Sequence, residues 1–122
     1  MYHQDWLMRK IENIVKIIAK IIFKKDDINY QIINQYKYTK TDFLHEEILK
    51  LLNSLKIDEA ENLLFDNIEV KNLNYLNVAI DFYDRINKLS DEELEKGNFT
   101  RKEIESGIKD ILEIFQINMP NF

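Results

Sequence analysis

Only three residues of the 122 are glycine or proline: Gly97, Gly107 and Pro120. Sandwiches and barrels need many tight turns, where glycine supplies a positive φ and proline fixes φ near −65°. A chain this poor in both residues has room for long helices joined by short links. No strand or hairpin pattern appears anywhere along it. The expectation is an all-α fold, with residues 1–122 forming a single domain and a compact bundle of five or six helices.

Hydrophobic residues make up 45% of the chain and charged residues 32%, which is a globular balance. The length suffices for one core without covalent staples. There is no cysteine, so disulfides, thiolate catalysis and cysteine-ligated metals are excluded. A cytoplasmic location fits that absence.

Apolar periodicity places the helices. From Asp5 to Phe23, the residues Leu7, Met8, Ile11, Ile14, Val15, Ile17, Ile18, Ala19, Ile21 and Ile22 fill about half of a helical wheel, while Arg9, Glu12, Asn13, Lys16, Lys20 and Lys24 share the other half. A weaker helix is expected over Asp27–Tyr36, with Asp26 or Asp27 as its cap. A third starts at a Thr41 or Asp42 cap and buries Leu44, Ile48, Leu51, Leu52 and Leu55. Asp58 and Glu61 read as the cap and acid of a fourth, through Phe65.

The fifth helix, near Asn72 to Leu89, is centred on Leu73, Leu76, Ala79, Ile80, Tyr83 and Ile86, with an apolar face wide enough to need burial on two sides. "SDEE" at Ser90 and "TRKE" at Thr100 are capping boxes, the second opening a last helix with Ile104, Ile108, Ile111, Leu112 and Phe115 inward. Five acid-to-base pairs at i,i+4 are expected on these helices: Glu12–Lys16, Glu46–Lys50, Asp81–Arg85, Asp84–Lys88 and Glu105–Lys109.

Charge is unevenly spread. Residues 1–25 carry six basic and two acidic side chains, the remainder eleven and twenty. The lysines interrupting the first helix forbid both a secretory signal and a transmembrane span. That helix reads as an anchor for the protein's own core, because the other helices need an apolar partner. A peripheral membrane role for Arg9, Lys16, Lys20 and Lys24 is the alternative.

Patterns for chemistry lead mostly to exclusions. "HEEIL" at His45 begins like the zinc motif H-E-x-x-H, but Leu49 stands where the second ligand belongs, and the other histidine is the remote His3. His45 is expected half-solvated at the edge of its helix. "DNIEVKNLNYLN" from Asp66 lacks the glycine and several ligands of a calcium loop. Asp81 and Asp84 share a face with Asn74, Asn77, Arg85 and Lys88 and read as solvated surface. Trp6, Tyr36, Tyr38 and Phe43 read as aromatics closing the core at helix starts and turns. The acidic body argues against nucleic acid. No catalytic, cofactor-binding or metal residue is assigned, and no cofactor is expected.

The opening residues Gln4, Asp5, Trp6, Leu7, Met8, Arg9, Ile11 and Glu12 resemble a family of short helical proteins from Firmicutes. The resemblance implies degenerate tetratricopeptide-like hairpins, with Gly97-Asn98-Phe99 as a glycine-led turn between two helices. Lys102, Glu103 and Gly107 depart from the repeat's pattern of a small alanine followed by a large aromatic. The function expected is non-enzymatic, an interaction or adaptor module with a protein partner. Apolar arcs on the first and fifth helices allow self-association as well.

Overall fold

The computed structural model describes residues 5–31 and 38–119. Among these residues the architecture is all-helical with no strand: α1 (Asp5–Ile18), α2 (Lys40–Asn53), α3 (Ile57–Asn67), α4 (Leu73–Asn87), α5 (Asp91–Lys96) and α6 (Arg101–Ile114).

The first helix is a core anchor on one face only. Leu7, Ile11, Ile14, Val15 and Ile18 are buried, and each such side chain contributes about 1.5–3 kcal/mol of apolar burial. Ile17 and Ile21, expected on the same apolar half, are exposed. After Ile18 the helix widens into a π-helical turn, Ala19–Phe23. Lys24 ends it in the left-handed region (φ 54°), and the Lys25 amide donates back to the Ala19 carbonyl at 3.0 Å.

The next expected helix is absent over Asp27–Gln31, and the rest of it lies outside the described residues. Asp27 uses its carboxylate to accept from the Asn29 amide at 3.1 Å, a local turn that competes with helix formation. Ile28 is buried and the Tyr30 amide is taken by a distant side chain, so this segment runs along the bundle as an extended strap.

The cap of α2 is Thr39, two or three residues earlier than expected. Its side chain accepts from the Asp42 amide while Asp42 accepts from the Thr39 amide, a reciprocal capping box. Leu55 falls past the end of α2 and takes a left-handed conformation (φ 56°) in the turn to α3. That conformation costs a non-glycine residue roughly 1–2 kcal/mol. Helix α3 begins at Ile57 without a side-chain cap, so Asp58 is not the cap, and it runs on to Asn67.

The centre of the bundle is α4, which packs against α1, α2 and α6. Every residue from Tyr75 to Asp84 is buried, as a two-sided apolar face requires. Leu73 is the exception to its expected stripe, half exposed in the first turn. Ser90 and Glu93 form the capping box expected of α5. At α6 the Thr100 hydroxyl accepts from the Glu103 amide, but the Glu103 carboxylate accepts from that hydroxyl and not from the backbone. Buried Arg101 donates to the Asn87 and Leu89 carbonyls and to Asp91, tying α6 to the end of α4.

The glycines act by size, not by φ. In the α5–α6 turn the left-handed residue is Asn98 (φ 55°), while Gly97 sits near φ −81°. A Cβ on Gly107 would lie 2.3–2.6 Å from the ring and hydroxyl of Tyr83, so α6 can approach α4 there only through glycine.

Candidate functional site: a buried carboxylate and the groove beside it

Asn77 and Asp81 lie one turn apart on α4, on the face covered by the strap. They serve its backbone: the Tyr30 amide donates to Asp81 Oδ1 at 3.1 Å. The Asn77 amide nitrogen faces the Ile28 carbonyl at 2.7 Å, and its oxygen faces Lys25 Nζ at 3.2 Å, the orientation in which both bonds form. The two residues answer the hydrogen-bonding needs of a non-helical segment laid on a helix.

Asp81 therefore does not belong to a solvated surface; it is 1% exposed. Its second oxygen accepts from His45 Nε2 at 2.8 Å and from Arg85 Nε at 2.7 Å. Burial alone would raise its carboxyl. The hydrogen bonds from His45, Arg85 and the Tyr30 amide, with the guanidinium charge, outweigh that and hold it below the usual aspartate value. An ionised carboxylate can only accept, so His45 carries its proton on Nε2.

His45 is likewise more enclosed than expected, with 12% of its side chain exposed. The Tyr30 ring lies against it, centroids 4.7 Å apart. The Tyr30 hydroxyl donates to Asp42 Oδ1 at 2.6 Å and meets Thr41 Oγ1 at 2.7 Å. Burial and that acidic partner push the Tyr30 hydroxyl up; burial opposes, but the Tyr30 and Thr39 bonds prevail in lowering Asp42. One network thus joins the strap, the start of α2 and the middle of α4. Asp84 is buried too and pairs with Lys88 at 2.9 Å.

An imidazole oriented by a buried aspartate is half of a nucleophile-activating arrangement. Among the described residues no hydroxyl is hydrogen-bonded to His45, and no three His, Asp or Glu residues converge as a metal site. His3 lies outside the described residues, and Asp66 sits in the last turn of α3. The network acts as a clamp on α2.

The clamp sets the other side of α2. Phe43, Leu44, Glu47 and Lys40 from α2 face Leu63 and Asn67 of α3, with Glu69 and Tyr75 closing an open groove of about 420 Å³. Phe43 is 57% exposed at its rim, and Trp6 and Tyr38 are also exposed, so these aromatics do not close the core. Tyr36 lies outside the described residues. The buried Tyr75 hydroxyl donates to Glu69 at 2.9 Å and fixes the groove's far wall.

A family model covers residues 1–116, which takes in every helix from α1 to α6. The chain belongs to DUF6483, a family of unknown function. The clamp and the groove both fall inside the DUF6483 span. No curated protein and no solved structure matches the chain.

Sequence reasoning missed Tyr30, Asp42 and the burial of His45 and Asp81. A signal for the last existed. Asp81 lies between Ile80 and Phe82 on a helix whose apolar arc already covers more than half its wheel, which leaves little room for a solvated face.

Proposed function

We propose that this chain is a non-enzymatic interaction module of the cytoplasm that holds a partner protein's segment in the groove between α2, α3 and the start of α4. The observation that carries the reading is the half-exposed Phe43 ring beside a concave, largely apolar opening. A concave, mostly apolar opening with a few polar groups along its walls is the form a binding site takes. Glu47 and Glu69 at the walls and Lys40 at one end supply polar groups to orient the bound segment.

Support for the tetratricopeptide-like reading is local, in the Gly97-Asn98-Phe99 turn that joins α5 to α6, with Asn98 in the left-handed conformation. The short α5 departs from that reading.

In-cell cross-linking with mass spectrometry on the tagged full chain tests the proposal. A recurrent partner is expected whose capture is lost in Phe43→Ala and Leu63→Asn but kept in Ile17→Ser. Capture of nothing, or capture indifferent to both groove variants, refutes it.

A further inference from the structure

We infer that the outward face of α1 docks on an anionic membrane surface, a property separate from the groove. Trp6, Ile17 and Ile21 are 57%, 43% and 67% exposed. At about 100° per residue they fall within about 60° of one another, on the flank of the helix about 60–120° round from the centre of the buried Leu7, Ile11 and Ile18. Fifteen residues separate the first from the last, so the apolar line is about 20 Å long. The π-helical turn turns less per residue than an α-helix and keeps Ile21 near that line.

Beside the line lie Arg9, Lys16 and Lys20, with Lys24 at the helix end, all exposed. Among the described residues none of the four has an acidic partner; the expected Glu12–Lys16 pair does not form, and Lys10 is the one that pairs, with Glu105 at 2.6 Å. The arc from Lys16 to Ile21 spans about 140° and holds no carboxylate of α1 itself, since Asp5 and Glu12 fall outside it; Lys10, within the arc, is the cation that Glu105 neutralises. Apolar and aromatic side chains flanked by unpaired cations suit a headgroup layer, where the rings and aliphatics sink in and the cations meet phosphate.

Charge decides against a second copy as the occupant. A two-fold contact presents this face to itself, so it would bring one set of unpaired cations towards the same set on the other copy.

The full chain carries a single tryptophan, so its emission reports this face alone. The test mixes the protein with phosphatidylcholine vesicles, neutral or containing about one third phosphatidylglycerol. With the anionic vesicles, flotation and a blue shift of Trp6 emission are expected, both fading in high salt. Lys16→Glu with Lys20→Glu should weaken binding at least about 25-fold, from roughly fivefold for each lysine lost. Ile17→Ser with Ile21→Ser should also abolish the blue shift, while circular dichroism of every variant stays native.

Equal binding to neutral vesicles overturns the inference, as does indifference to the charge reversal. Flotation without a change in Trp6 emission indicates plain attraction to polyanions and overturns it too. So does a concentration-dependent dimer, lost in the isoleucine variants, with no vesicle binding.

Discussion

His45 Nε2 sits 2.8 Å from Asp81 Oδ2, joining two helices whose residues are 36 apart in sequence. Because Asp81 also holds the Tyr30 amide, one carboxylate fixes the strap and α2 against α4 at once. Asp81→Asn keeps the shape but loses the charge that Arg85 and His45 complement. It should cost about 1.5–3 kcal/mol at neutral pH in a urea titration.

The pH dependence of that cost has a definite sign. The folded-state pKa of Asp81 lies below its ordinary 3.8, so the unfolded chain binds this proton more tightly. The stabilisation is fully present above about pH 5 and lost as pH falls through the folded value. Asp81→Asn should therefore flatten the acid limb of the stability profile below about pH 4. Asp42, lowered in the same network, leaves part of that limb in place.

Glu61 behaves in the opposite sense. Burial outweighs the Tyr83 hydrogen bond and, with acidic neighbours, raises its carboxyl above 4.5. Its contribution is fully present below pH 4.5 and lost as pH rises through the raised value. Glu61→Gln keeps an acceptor for the Tyr83 hydroxyl without the charge. Thermal melts should show the variant gaining on the wild type between pH 4 and pH 7.

Two substitutions on α1 separate its faces. Leu7→Ala or Ile11→Ala removes fully buried atoms and should cost about 2–5 kcal/mol. Ile17→Ser should stay within about 0.5 kcal/mol, as exposed positions do. Equal losses at the two kinds of site would contradict the placement of α1.

Gly107→Ala adds one methyl group where Tyr83 lies 2.3–2.6 Å away. The Tyr83 ring is buried and cannot swing clear, so α6 must shift, at about 1–3 kcal/mol of overpacking. Denaturant unfolding measures it directly.

The helices were readable from apolar spacing because α1, α4 and α6 each bury a clean stripe, and Ser90-Glu93 and Asn72 cap where a local pattern places them. The long-range polar pairings were not. Asp81–Arg85 and Asp84–Lys88 form at i,i+4 as a solvated face would, which disguised buried residues as surface. Local spacing reports which partner is near in sequence, not what a strap 51 residues away lays over it. The same limit hid the role of Gly107, which depends on a tyrosine from another helix. Asp27 looked like a helix cap because an Asx turn and a cap begin with the same residue type.

The central structural claim is that Asp81 holds α2, and with it one wall of the groove. Amide hydrogen exchange on the wild type and Asp81→Asn tests that most directly. Protection should fall in residues 28–31 and in Thr41–Leu52, while the amides of α6 remain as protected as before. Exchange that rises uniformly across all helices, or does not change in α2, would show that the groove is held by something other than this carboxylate.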